Sequence, residues 1–264
     1  MICNACSPAN AAILVINGAE SRLQVVLGSQ SGLLWSQELH TPGRAMPYLA
    51  PAVRHGLTTC QLSLASLRGV ACVHGPGGFT GLRLTLATAL GLARGARLPL
   101  AGLDYLACIA SGVWPLCSTE LWVVTRARQR LVYLQGFAAA SGHPLGPVQP
   151  QGNDKAITIL QARPQPLTLV GSGLRREPEQ WATALPTAQV LPPQWDHPSP
   201  AALVQHALDA SFTFEALHPL YLRASDAEDN LPAIADKRGL DPETARDSIP
   251  DFLHPKASGT SFST

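Results

Sequence analysis

Charge is scarce in this sequence. Only 14% of its 264 residues are Asp, Glu, Lys or Arg, and only 6% are aromatic. That does not amount to the clustered basic footprint of an autonomous nucleic-acid binder. Any contact with RNA phosphates has to come chiefly from another component. Long apolar runs are missing too. The longest, Leu82 to Leu103, is broken by Arg83, Arg94 and Arg97, too often to span a bilayer. No basic stretch followed by an apolar core opens the chain, so no signal peptide and no membrane partner are expected, and the expected location is cytoplasmic. Metal-ligand spacing is also lacking. None of the six cysteines (Cys3, Cys6, Cys60, Cys72, Cys108 and Cys117) pairs with a histidine, and the Cys3-x-x-Cys6 element has no second half. They read as reduced, mostly buried thiols, with no metal and no cofactor implied.

What is present is apolar material. Hydrophobic residues make up 46% of the chain, enough for one large domain or two small lobes sharing a cleft. The few charges are unevenly placed. Before Ala224 there are fifteen bases and ten acids, whereas Ala224 to Thr264 holds eight acids and four bases. The last segment is rich in Asp, Pro, Ser and Ala and reads as a disordered acidic tail.

The apolar runs Ala11–Ile16, Leu23–Leu27 and Leu33–Leu39 predict a three-stranded antiparallel meander. A helix over about 45–60 follows, with Leu49, Val53, Leu57 and Cys60 on one face. Gly69–Val73 is a buried strand, about 80–96 a long helix, Pro99–Leu103 a strand and Tyr105–Ala110 a short helix. The second half restarts with strands at Leu121–Thr125 and Leu131–Phe137. Gly142–Gly152 reads as loop, Ala156–Gln161 as a weak helix, Leu167–Val170 as a strand and Pro200–Ala210 as a helix with Leu203 and Ala207 inward. The two halves share a crude element order without a sequence repeat. That order favours two related lobes, each a mixed sheet flanked by helices. The expected divisions are a leader over 1–10, lobes over 11–112 and 113–223, and the tail over 224–264.

One motif stands out: Gly75-Pro76-Gly77-Gly78-Phe79-Thr80-Gly81-Leu82-Arg83. Its glycines permit a sharp strand-to-helix turn. Thr80 is the candidate N-cap, and Phe79 a packing plug. Such a turn could cradle a phosphate at the helix start. It is neither a P-loop, lacking Lys-Ser or Lys-Thr, nor a dinucleotide fingerprint. A tight strand–turn–helix joint is the plainer reading. Along the following helix, Leu82, Leu86, Ala89, Leu90 and Ala93 face the sheet. Gly81, Leu84, Thr88, Gly91 and Gly95 form a second row of mostly small residues. Interior helical glycines cost about 1 kcal/mol each relative to alanine, and close approach of another helix would justify them. That helix belongs either to a partner or to the same chain.

The motif closely resembles the G-P-G-S-F-T-G-L-R signature of the TsaB (YeaZ) family, with Gly78 in place of serine. Leu90-Gly91-Leu92-Ala93, Pro99–Leu103, Arg126-Ala127-Arg128-Gln129-Arg130-Leu131-Val132-Tyr133 and Pro219-Leu220-Tyr221-Leu222-Arg223 resemble further family segments, in the family's order, across about 11–223. The resemblance implies an actin-like α/β fold of two ribonuclease-H-like lobes, related to sugar kinases and Hsp70. It also implies a non-catalytic subunit beside TsaD, which transfers threonylcarbamoyl to the tRNA adenosine next to the anticodon. A TsaE-like ATPase is a third component, tRNA is met only within the complex, and the chain alone forms a homodimer. The implied interface to TsaD comprises Gly75, Pro76, Gly77, Gly78, Phe79, Thr80, Gly81, Arg83, Leu84, Thr88, Gly91 and Gly95. No catalytic residue is implied. Where the family's first strand ends in D-T-S, this chain has Asn17-Gly18-Ala19. Arg126 and Leu131 stand where the family has Asp and Glu. A kinase-like site needs carboxylates to hold magnesium near phosphates. His55 and His74 read as isolated, ordinary residues. Two other classes remain open: an actin-like small-molecule kinase or acyl-phosphate-handling enzyme, and a homodimeric scaffold or regulator of another protein.

Overall fold

Residues 11–222 are described in the computed structural model; the leader with Cys3 and Cys6, and the acidic tail, lie outside them. The first apolar runs form the expected meander: β1 (Ile13–Asn17), β2 (Arg22–Ser29) and β3 (Gly32–His40). Then come α1 (Met46–Thr59), β4 (Gly69–Gly75), α2 (Phe79–Ala96), β5 (Leu100–Asp104) and α3 (Tyr105–Ser111). The sheet order is β3-β2-β1-β4-β5, with β4 parallel to β1 and β5 parallel to β4.

The second half contains β6 (Leu121–Arg128), β7 (Leu131–Phe137), β8 (Gln149–Gly152), α4 (Asn153–Gln161), β9 (Thr168–Val170), α5 (Pro178–Ala184), β10 (Gln189–Val190) and α6 (Pro200–Asp209). Its sheet order, β10-β9-β6-β7-β8, repeats the first: an antiparallel meander with two parallel strands added beside its first strand. This is the two-lobed actin-like α/β arrangement. The halves match in topology without matching in sequence, because strand order follows the succession of apolar segments and not their identity.

Part of the second half departs from expectation. Gly142–Gly152 was expected to be loop throughout, yet Gln149–Gly152 is β8, an edge strand on β7. Pro150 is tolerated there, where its missing N–H need not cost a ladder bond. α5 and β10 were not foreseen. The first is a single short helix opening on Pro178, and the second is two residues long. Neither is long enough to show a period.

Side-chain alternation divides the first sheet between two helical layers. Leu14 and Ile16 of β1 and Leu23, Val25 and Leu27 of β2 enter one core with Leu49 and Val53 of α1 and Leu86, Ala89 and Ala93 of α2. α6 packs on β1, β2 and β3 and against α3, so the last helix in chain order returns to the first sheet. Val204 fits over Gly28 of β2, where a Cβ would lie 2.3 Å from its methyl carbon. The strip after α6 follows β5. Thr213 exchanges backbone hydrogen bonds of 2.7 and 2.8 Å with Leu100, and the N–H of Leu220 donates to the carbonyl of His74 at 2.8 Å. A second core joins Trp122, Val124, Val132 and Leu134 to Ile157 and Leu160 of α4 and Trp181 of α5. No helix among the described residues is long and apolar enough to cross a membrane.

Candidate functional site

The glycine motif is the joint from β4 to α2. Gly75 has φ +136°, a conformation that favours glycine. The next glycines are fixed by what approaches them. A Cβ on Gly77 would meet the Ala19 carbonyl oxygen at 2.3 Å, and one on Gly81 would meet that of Gly18 at 2.2 Å. The N–H of Gly78 donates to the Ala19 carbonyl at 2.7 Å. The β1–β2 turn is therefore seated directly against the glycine turn, backbone to backbone. A hollow of about 440 Å³ beside α1 and one of about 830 Å³ in the second lobe contain no residue of this turn.

Two local expectations are corrected. Gly78, not Thr80, is the N-cap of α2; it offers no side-chain cap, and Thr80 sits exposed in the first turn. Phe79 is not a buried plug. It is half-buried, with the Arg83 guanidinium 3.7 Å from its ring centroid.

The structure divides the remaining motif residues. Gly75 and Pro76 are buried within the chain. Leu84 is half-buried against the first core, and the Thr88 hydroxyl donates to the Leu84 carbonyl at 2.8 Å. Gly91 and Gly95 are exposed, and a Cβ on either would meet no atom within 4 Å. Among the described residues, no helix of the same chain lies on that part of α2.

The triplet Asn17-Gly18-Ala19 lacks a carboxylate, as expected, but the next residue supplies one that the sequence reading passed over. Glu20 accepts hydrogen bonds from Ser172 Oγ at 2.5 Å and Tyr105 Oη at 2.9 Å, and His197 Nδ1 lies 3.5 Å away. Burial pushes its carboxyl up to about 6 against the pull of those hydroxyls, and the charge of Asp196 adds to the rise. Asn17 is also spent internally. Its Nδ2 donates to Gln24 Oε1 at 2.6 Å, and its Oδ1 accepts the Ala19 N–H at 3.0 Å. The signal for Glu20 was one acid in an apolar segment. Its partners stand as much as 152 positions away, out of reach of local reading.

His74 is not isolated. Its Nε2 lies 2.8 Å from Asp104 Oδ1, and its Nδ1 3.3 Å from the His218 carbonyl. Burial pushes the imidazole down, but the bond to Asp104, that carboxylate's charge and the His218 carbonyl together raise it. His55 lies edge-on to Trp35. Arg126, in the family's aspartate position, is exposed, and its backbone N–H donates to Ser172 Oγ at 3.0 Å. Cys60, Cys72, Cys108 and Cys117 are free thiols, and burial pushes Cys72 up to about 12.

A profile of the family described as TsaD, tRNA N6-adenosine threonylcarbamoyltransferase, matches residues 47–163. The chain is 32% identical over 181 residues to an uncharacterized protein of Mycobacterium bovis, covering 68% of this chain and 75% of that protein. It is 29% identical over 230 residues to the tRNA threonylcarbamoyladenosine biosynthesis protein TsaB of Escherichia coli, covering 83% of this chain and 98% of that one. The chain belongs to the TsaB (YeaZ) family. The structure described as YeaZ from Pseudomonas aeruginosa superposes with a TM-score of 0.66 at 20% identity, covering 80% of this chain and all of that one, which shows a shared fold. Within the TsaB family signature, Gly78 takes the place of a serine. Gly78 is the N-cap of α2 and, without a side chain, offers no acceptor to the first-turn N–H groups.

Proposed function

We propose that this chain is a non-catalytic partner subunit that supports a TsaD-like enzyme in transferring threonylcarbamoyl to the tRNA adenosine next to the anticodon. Membership of the TsaB family supports a part in tRNA threonylcarbamoyladenosine biosynthesis. One observation carries the non-catalytic reading: the β1–β2 turn occupies the glycine turn, backbone against backbone. A phosphate bound there would have to displace it. The carboxylate that follows the first strand supports the same reading, since Glu20 is held by Ser172 and Tyr105 within the protein. The rival kinase reading needs both features arranged otherwise.

The partner face is the outer side of α2. Gly78, Thr80, Arg83, Gly91 and Gly95 lie on or along it, and the two bare glycines let a helix approach closely. A TsaD profile matches residues 47–163, which contain α2 and all of α1 but its first residue. A partner of the same build suits pairing of like helices about a pseudo-twofold axis. In this reading the same face makes a homodimer when the chain is alone, a TsaE-like ATPase joins the assembled pair, and tRNA is met only in the complex.

The test is reconstitution. The isolated chain should neither turn over ATP nor modify tRNA. Mixed with the TsaD-like subunit and the ATPase, it should be required for modification. Gly91→Leu should bind the TsaD-like subunit at least tenfold more weakly and lower modification in step. Magnesium-dependent ATP turnover by the chain alone, abolished by Gly77→Ala, would overturn the non-catalytic reading. Unchanged affinity of a folded Gly91→Leu variant would overturn the α2 face.

A further inference from the structure

Three consecutive residues before α6 are shared between the lobes. Asp196 turns to the second: it accepts the Gly171 N–H at 3.1 Å and binds Arg175 through both oxygens, at 2.8 and 2.7 Å. His197 turns to the first, with its Nδ1 3.0 Å from Tyr105 Oη. The Pro198 carbonyl accepts Gln24 Nε2 of β2 at 2.8 Å. Glu20 crosses in the opposite direction, from the β1–β2 turn to Ser172 of the second lobe. This is a two-way clasp.

We propose that the clasp is a proton-operated latch, holding the lobes closed when Glu20 is protonated and biased toward opening when it ionises. The reason is a missing counter-charge. Arg175 is engaged by Asp196 and the Leu191 carbonyl, and Arg22 by Glu38 at 3.2 Å. His197 is held toward its neutral form, by burial first and then by Arg22. Glu20 is left with two hydroxyl donors, the backbone N–H of Arg126, the largely neutral His197 imidazole 3.5 Å away and the neighbouring charge of Asp196. The other groups facing the cluster are Tyr105, Cys108 and Asp104 around α3, Glu38 and His40 on β3, and Arg126 through its backbone N–H. None of them supplies a positive charge to the carboxylate. An ionised Glu20 is therefore poorly compensated while the junction is closed, and gains water when it opens.

The sign follows from linkage. The closed state holds the Glu20 proton to about pH 6, whereas a hydrated carboxyl releases it near 4.5. Closure is fully favoured below the lower value and weakens as pH rises through the higher one, changing the open-to-closed ratio by about thirtyfold across that window.

Hydrogen exchange over residues 17–22 and 171–176, corrected for intrinsic rates between pH 4 and 8, reads the opening. The natural chain should show the rise. Glu20→Gln should stay closed and flat. Ser172→Ala and Tyr105→Phe remove donors that hold the carboxyl down, so in both the upper end of the rise should move to higher pH. A packing role alone would not move it. A Glu20→Gln profile parallel to that of the natural chain would overturn the latch, as would a rise whose upper end neither hydroxyl substitution moves. If Glu20→Gln does not fold, the two hydroxyl variants carry the test. The outcome is independent of partner binding.

Discussion

Gly81 and Gly91 occupy one helix and have opposite reasons to be glycine. At Gly81 an added methyl would strike the Gly18 carbonyl oxygen at 2.2 Å, and nothing flexible stands in between. Gly81→Ala should destabilise the chain by roughly 1–3 kcal/mol, as overpacking does. At Gly91 there is nothing within 4 Å, so Gly91→Ala should stabilise it by about 1 kcal/mol, the propensity difference alone. Denaturant titration of both variants checks the pair, and equal signs would contradict the assigned packing. The His74–Asp104 pair makes a prediction in pH. The raised imidazole stabilises the fold fully below its unfolded value, near 6.5, and the benefit disappears as pH rises through its higher folded value. The lowered carboxyl of Asp104, held down first by the bond from His74, adds a benefit lost as pH falls below about 4. Asp104→Asn should therefore lower the melting temperature most near pH 5–6 and least near pH 9. A difference independent of pH would show that the pair is a neutral hydrogen bond.

At the scale of the element, α2 was legible almost to its ends. The period of Leu82, Leu86, Ala89, Leu90 and Ala93 gives the sheet-facing side; four of the five are buried, and Leu90 is half-buried against the first core. The start was misread because threonine is a strong capping residue in isolation. The tertiary contact with Ala19 placed the cap two residues earlier, at Gly78. That cap has φ −68°, and a Cβ there would lie 3.7 Å from the nearest atom. Gly78→Ser should therefore fit, cap the first turn and restrict the unfolded chain, gaining roughly 0.5–1 kcal/mol. Thermal unfolding measures this. A loss of stability would mean that the turn needs glycine at this position as well. The strand β8 shows the opposite limit. Nothing in Gln149-Pro150-Gln151-Gly152 looks like a strand, and only the exposed edge of β7 makes it one.

Across the whole molecule, the lobes are two copies of one topology stitched by residues that come late in the chain. α6 returns to the first sheet, and the Asp196–Pro198 segment touches both lobes. Unfolding should accordingly be a single transition. Leu203→Ala, which empties a fully buried position, should cost roughly 2–5 kcal/mol. It should shift the fluorescence transition, to which Trp181 of the second core contributes, together with the far-ultraviolet circular dichroism transition. Separated transitions would show lobes that unfold independently.

The sequence by itself determined the fold class, most of the strands and helices, the glycine motif and the family. Each of these is carried by short-range periodicity, or by a contiguous string of residues whose chemistry is local. The tertiary structure decided how the glycines are used. It seated the β1–β2 turn on Gly77 and Gly81, left Gly91 and Gly95 bare, and brought Glu20 to Ser172, Tyr105 and His197. None of these could be read from spacing, because each depends on which distant backbone or side chain arrives at the position. Burial and hydrogen bonding across 85 to 152 positions are properties of the packed chain alone.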